Sequence, residues 1–403
     1  MTHMIDIEKN GDLKLSYSGE SPWGALGKAI NDKMSVKDIA SAAGANWEVI
    51  KLPAYVEVPA KSKSERPEKS LLGWHALMRS SDQTILTRVA DQWEPTQNLE
   101  AVAFFQKACR DAKLNMRVTG LLNENKLWVL AQAPESFEVI PGFDTIDNYL
   151  LFTNPHVYGQ AVNVRFSPIR DLTRTILAFG KANDDNDDTI VRLGSRKGKL
   201  DLDRFAEALD MSRAKFAAYK EMAQFLVTKR ARKEDLEDWM RKVIPAMGGG
   251  PISKEERAKR FSRAANWTLN CVLDQQPGAD VLGGTWWNAL NACTFVCDHV
   301  LGIGDHTKPT DERTLTGNAR RIESSWYGTY RRHKADAIRI AMEMAKKSDN
   351  MRVAKPVAKK EEKEEPLKAI KAAAKPKAAA TKAKKPAPKK AATPKKSVAK
   401  KAA

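Results

Sequence analysis

From Pro366 to the end of the chain, 38 residues contain 14 Ala, 13 Lys and 5 Pro and no acidic side chain. Prolines at 366, 376, 386, 388 and 394 rule out a long helix, because each removes a backbone donor and its ring clashes with the preceding turn. With no aromatic side chain to bury, the segment cannot offset the entropy of ordering itself. This composition predicts a disordered basic arm, set off by the charged spacer Glu361-Glu362-Lys363-Glu364-Glu365. Folding is therefore the task of the first 350 or so of the 403 residues.

The same arm accounts for most of the charge. The chain is formally +18, residues 351–403 carry 18 Lys+Arg against 4 Glu, and +4 remains for residues 1–350. A near-neutral body in a chain that is 42% hydrophobic can build a real core. No apolar run reaches the roughly 18–20 residues of a membrane span, so no membrane partner is expected. The opening Met1-Thr2-His3-Met4-Ile5-Asp6 lacks the basic and then apolar stretches of a secretory leader. Four cysteines make no disulfide framework and point to a reducing cytoplasm.

Hydrophobic patterning divides the body. Residues 71–79 and 84–90, 116–122 and 127–133, and 149–153 and 161–166 form three pairs of short apolar runs, the first two joined by short polar turns, and predict antiparallel hairpins. Between them, Leu99, Val102, Phe105 and Cys109 mark an amphipathic helix over 98–112. After Pro168 the pattern turns helical. Helices are expected over 169–181, behind Ser212 as N-cap with a Phe216/Tyr219/Met222/Leu226 stripe, up to a stop at Gly248–Pro251, and over 254–273, 285–301 and 311–347. The acidic run 183–188 reads as an exposed loop. The expected fold class is α+β: an antiparallel sheet with flanking helices over 1–182, a mainly helical region packing on it over 183–350, and the disordered tail over 351–403.

Four segments carry a family resemblance. They are Ser21-Pro22-Trp23-Gly24-Ala25-Leu26-Gly27, Ala42-Ala43-Gly44-Ala45-Asn46-Trp47, Gln97-Asn98-Leu99-Glu100, and Thr285-Trp286-Trp287-Asn288-Ala289-Leu290-Asn291-Ala292 with the downstream Asp298-His299. Together they resemble the phage/plasmid-like protein family, a domain of unknown function found on prophages and plasmids. The resemblance covers about residues 20–305 and implies a mobile-element setting, the bacterial host cytoplasm and DNA metabolism, without a mechanism. The chain departs from the family at 167–175, where Thr173 and Arg174 stand in place of a family Cys and Asn.

No nucleophile elbow, phosphate-binding loop, dinucleotide fingerprint or His-Glu-x-x-His occurs, so no catalytic residue and no cofactor is expected. Cys293, Cys297, His299 and His306 resemble a zinc set, but the cysteines lie among Phe295, Val296 and Val300, and a core position is the expectation. Asn288, Asn291 and His299 form a polar row that either ties the helix to the sheet or lines a groove. Candidate nucleic-acid contacts are Arg165, Arg170 and Arg174 at the junction around Pro168, the basic loop Arg196, Lys197 and Lys199, and Arg320, Arg321, Arg331 and Arg332 interleaved with Trp326, Tyr327 and Tyr330. Lys384, Lys385, Lys389, Lys390, Lys395 and Lys396 represent the tail, which binds polyanions by counterion release. The sequence thus predicts a single-stranded DNA-binding or annealing protein of phage or mobile-element type, forming homo-oligomers. A DNA-packaging protein without annealing activity is the alternative.

Overall fold

A computed structural model describes residues 15–19, 28–30, 34–58, 68–179, 187–194, 199–244, 265–266, 268–301 and 321–347. The first half supplies β1 (Leu15–Ser18), β2 (Lys28–Ile30), α1 (Val36–Ala42), β3 (Val49–Val58), β4 (Glu68–Arg79), β5 (Ile85–Ala90), α2 (Asn98–Asp111), β6 (Asn115–Leu122), β7 (Lys126–Ile140), β8 (Asp144–Pro155) and β9 (Asn163–Phe166). Two-residue strands β10 (Ile169–Arg170) and β11 (Thr175–Ile176) follow, then β12 (Ile190–Arg192). Helices dominate thereafter: α3 (Leu202–Thr228), α4 (Lys233–Val243), a π-helical turn Thr268–Val272, α5 (Ala279–Leu282), α6 (Trp286–Phe295) continuing into π-helical Val296–Val300, helical residues 321–327, and α7 (Thr329–Lys347). The expected α+β class, with its sheet first and its helices later, is what folds.

A nine-stranded sheet runs β11-β10-β8-β7-β6-β1-β2, with β9 pairing β8 and β12 pairing β9; β3-β4-β5 form a separate antiparallel sheet. All three expected hairpins pair antiparallel, as β4–β5, β6–β7 and β8–β9. Both faces of β7 are covered, which is why its first half reads as a continuous apolar run. Leu127, Val129 and Ala131 face α2 and the smaller sheet, whereas Trp128 and Leu130 pack with Ile322 and Trp326 from the helical residues 321–327. Gly120 is the cross-strand partner of Trp128, and an added Cβ there would sit 2.6 Å from the indole, so the glycine makes room for the ring. A third cluster joins Phe137, Ile146 and Phe166 of the sheet to α3, α4, α6 and α7.

The Gln-Asn segment at the start of α2 locks the smaller sheet in place. Gln97 Oε1 accepts from Val49 N at 2.9 Å, and Gln97 Nε2 donates to Val49 O at 3.0 Å. Asn98 donates to Ala45 O, and its Oδ1 receives Asn154 Nδ2 at 3.3 Å and contacts His156 Nε2 at 2.9 Å. Arg79 adds a clamp to Asp82 and Glu124, with its guanidinium 5.7 Å from the Trp47 ring centre.

Three expectations need correcting. Residues 169–179 are not the expected helix, and 180–181 lie outside the described residues: β10 pairs with β8 and, through a tight turn, with β11. The Arg170/Arg174 spacing suggested a helical face, but β-branched Ile169, Thr173, Thr175 and Ile176 fit a strand pair, and their polar partners lie elsewhere in the fold. Ser212 does not cap α3, because it lies inside the helix with Oγ donating to Asn148 at 3.0 Å; Asp201 caps it, accepting from Asp203 N at 2.9 Å. The acidic run is not wholly exposed, since the Asp187 side chain is 2% accessible. The glycine stop at 248–251, most of the expected helix over 254–273, and 302–320 lie outside the described residues; α4 has already ended at Val243.

Arg174 adopts φ 54°, a left-handed conformation that disfavours most side chains and suits Asn or Gly. It stands where the resembled family carries Asn. Arg174→Asn is therefore expected to raise stability by about 1 kcal/mol, measured by urea unfolding against the parent chain.

Candidate nucleic-acid interface

The arginines singled out in the sequence separate sharply by burial. Arg170 is fully buried, with Nε and Nη2 donating to the two Asp144 oxygens at 2.7 and 3.1 Å. Trp287 Nε1 donates to the same carboxylate at 2.8 Å. Arg170 is thus a strut inside the core, not a nucleic-acid contact at a helix start, and Arg174 occupies the turn beside it. Arg331 and Arg165 share Asp187, at 2.7 and 2.9 Å. Arg321 is 4% exposed, and burial lowers its pKa. Arg332 and Lys199 are exposed. Arg196, Lys197, Arg320 and the six tail lysines lie outside the described residues.

The polar row of the Thr-x-Trp motif is internal, and the groove reading of it is corrected. Thr285 caps α6, its Oγ1 accepting from Asn288 N at 3.1 Å. Asn288 donates to Leu273 O, receives Gln276 Nε2 at 2.8 Å and is 1% exposed; Asn291, equally buried, donates to Trp287 O. His299 packs on Phe295 with ring centres 4.6 Å apart. Asp298 is the hub: Oδ2 accepts from Ile176 N at 2.9 Å, and Oδ1 accepts from Ser325 Oγ at 2.6 Å and from Lys334 Nζ. Lys334, fully buried, also donates to Ile176 O at 2.7 Å. One carboxylate therefore joins β11, the helical residues 321–327 and α7.

Cys293 and Cys297 are buried and form no disulfide, and the hydrogen bond to Cys297, together with burial, pushes the Cys293 thiol up, away from the thiolate a metal needs. Among the described residues no group of three or more His, Cys, Asp or Glu side chains is arranged to hold a metal ion. His306 lies outside them.

An open groove of about 850 Å3 lies on a different part of the surface, along β8, β9 and β12. Register explains its floor. Thr153, Asn163 and Arg192 are cross-strand neighbours in one row, and Leu151, Arg165 and Ile190 in the next, so one face of three strands presents Asn163, Arg165 and Arg192 together. Val164, Phe152 and Val191 alternate to the core side. Trp93, following β5, and Tyr158, in the β8–β9 loop, form the walls, and the Tyr158 backbone is tied to Thr87 Oγ1 at 3.1 Å. Tyr327 closes the end, hydrogen-bonded to Thr153, with Arg165 and Lys126 cations 5.1 and 4.5 Å from its ring centre. Burial pushes its phenol up to about 12 despite the opposing pull of Arg165.

Among the described residues, no carboxylate lines this groove. A larger cavity of about 1060 Å3 shares Ile190 and Arg192 with the groove and is lined by four carboxylates, Asp187, Asp188, Asp201 and Glu207, against three cations, Arg192, Lys199 and Arg204, so its lining is net acidic and suits an anion less well. Arg165 is 5% exposed, and its Nε has no hydrogen-bond partner although Asp187 engages another of its nitrogens. Arg192 is exposed and makes no ion pair with a described residue. Sequence reasoning missed Trp93, Tyr158 and Arg192. The alternation Asn163-Val164-Arg165-Phe166 marks the open polar strand face they border, but it signals none of the three themselves.

The body is thus a sheet-and-helix protein with an aromatic-walled cationic groove beside a buried ionic core. Residues 85–326 match the family described as Domain of unknown function (DUF932), and the chain belongs to that family. No curated protein and no solved structure matches it. No helix among the described residues is long and apolar enough to cross a membrane.

Two outcomes follow from the buried groups. Lys334→Met strands Asp298 and is expected to cost about 3–5 kcal/mol in urea unfolding, whereas adding Asp298→Asn to it returns part of that loss. Burial lowers His156 and His299 to about 4, from about 6.5 when exposed. The unfolded chain therefore takes up protons that the folded chain refuses, and stability falls as pH drops from about 6.5 toward about 4. His156→Gln should flatten that slope when unfolding is followed across the same range.

Proposed function

We propose that this is a phage- or mobile-element-associated protein that binds single-stranded nucleic acid, with DNA the favoured form, and acts in replication or recombination as a strand-binding or annealing protein in the host bacterial cytoplasm. The observation that carries this reading is the groove: three aromatic side chains and two arginines converge on it, and no carboxylate of a described residue lines it. Every base has a face to stack on an aromatic ring, so such a lining is sequence-tolerant and favours strands whose bases are unpaired. The mobile-element setting rests on the four motif segments. The basic tail supplies a second, strand-indifferent affinity through counterion release.

A DNA-packaging role is the second reading, favoured by the concentration of +14 in residues 351–403 against +4 in the body. Paired measurements on the same chain separate the two. Arg192→Ala with Tyr158→Ala, both at exposed positions, is expected to weaken single-stranded DNA binding at least tenfold, about 1.4 kcal/mol, while leaving duplex affinity nearly unchanged. Deleting residues 351–403 should do the converse to duplex binding and, if about ten lysines contact phosphates, shrink the logarithmic salt slope by roughly nine units. A tail deletion that abolishes binding to both forms, with the groove variant inert, supports packaging and overturns the groove reading.

A further inference from the structure

The groove does not end at Tyr158. Tyr158 is 55% exposed, and its ring centre lies 6.0 Å from that of Trp74 on β4, the planes tilted by 57°. The Arg88 guanidinium of β5 covers both rings, 5.2 Å from Trp74 and 5.8 Å from Tyr158. Strand register places Arg88 beside Ala76 and Leu52 on the outer face of the smaller sheet, opposite the face on which Leu77 and Val89 are buried. Arg88 is exposed and makes no ion pair with a described residue, in contrast to Arg165, Arg170 and Arg331. Of the carboxylates flanking Trp93 in sequence, Glu94 is bound by Lys51 at 2.8 Å, whereas Asp91 is exposed and lies 3.6 Å from His75 Nδ1, beyond hydrogen-bond reach.

We propose that the Trp74–Arg88–Tyr158 stack is a second base-stacking station for the same single strand, receiving nucleotides that leave the groove past Tyr158; this inference rests on the groove reading above. Tyr158 belongs to both surfaces, so the path is continuous. Along it Arg88 and Arg192 make no ion pair with a described residue, so each can meet a phosphate, while the Arg88 guanidinium plane and the Trp93 ring offer faces to bases. A planar guanidinium held over two rings is already ordered, so little freedom is lost when a base joins the stack.

Oligonucleotide length is the discriminating variable, because a short strand fills the groove alone and a long one reaches the second station. The full chain is titrated with oligo(dT) of about 4 and about 16 nucleotides, spanning the usual range of single-strand site sizes. Arg88→Ala is expected to weaken the longer oligonucleotide at least about fivefold, one lost stacking contact, and to leave the shorter one within about twofold. Arg88→Lys, which keeps the charge and loses the planar fork, should also weaken the longer one. Arg192→Ala should weaken both. If Arg88→Ala leaves the longer oligonucleotide unchanged while Arg192→Ala weakens both, the second station is overturned and the groove stands. Equal weakening of both lengths by Arg88→Ala also overturns it, since Arg88 would then belong to the groove itself. If neither variant changes binding at either length, the groove reading falls and takes the second station with it.

Discussion

A carboxylate moved from water into a protein interior costs several kcal/mol unless donors surround it, and this chain places two where its sheet meets its helices. Asp144 receives Arg170 and Trp287, and Asp298 receives Lys334, Ser325 and the backbone of Ile176. Each set draws on segments far apart in sequence, so neither carboxylate is satisfied until β8, β10, β11, α6, α7 and the helical residues 321–327 are all in place. Apolar packing alone tolerates sliding between layers, whereas these polar contacts admit one arrangement. Two-residue strands such as β10 and β11 would otherwise have little to hold them.

That arrangement determines which cations remain for a partner. Arg170 and Lys334 are consumed by the core, and Arg331 by Asp187. Arg165 is divided: one nitrogen meets Asp187, its plane faces Tyr327, and its Nε is left over at the groove floor. Arg192 and Arg88 make no ion pair with a described residue. Binding energy for a phosphate, on the proposed reading, comes from the last group, because a guanidinium already bonded to a buried carboxylate has little to offer it. On the proposed reading, the chain's arginine total overstates its nucleic-acid surface severalfold.

Much of the fold was legible because it rests on local pattern. Three hairpins and α2 follow from alternation, short polar turns and a three-to-four spacing, all written within a few residues of one another. The segment 169–181 was illegible for the opposite reason. Its strand form depends on Asp144 and Asp298, which lie 26 and 122 residues from their partners Arg170 and Ile176. The same limit left Asn288, Asn291 and His299 open between an internal network and a groove: a polar row on a helix looks alike whether it faces a ligand or Gln276 and a neighbouring carbonyl. Clustered arginines suffered most, since charge is visible in a sequence and the carboxylate that cancels it is not. The groove was half legible. Tyr327 stood in an evident aromatic and basic cluster, but Trp93 and Tyr158 sit in loops, where a single aromatic carries no periodic signal.

Groove and tail differ in the distance over which each acts, and that difference bears on how they divide the proposed function. A body of net charge +4 exerts little long-range attraction, and at physiological salt exposed charges are screened beyond about 8 Å. A lysine arm carrying +14 neutralises phosphates wherever it touches a backbone, and responds to duplex and single strand through the same charge. Ring stacking in the groove is short-ranged and nearly indifferent to salt, and it needs a base face that pairing and neighbouring stacks leave covered in a duplex. On the proposed reading, recruitment belongs to the tail and selection to the groove. Had the body been strongly basic, duplex would compete for it directly and the preference for unpaired bases would be diluted. On that reading, a near-neutral body with its few exposed arginines, unpaired among the described residues, set beside aromatic rings keeps the two tasks separate.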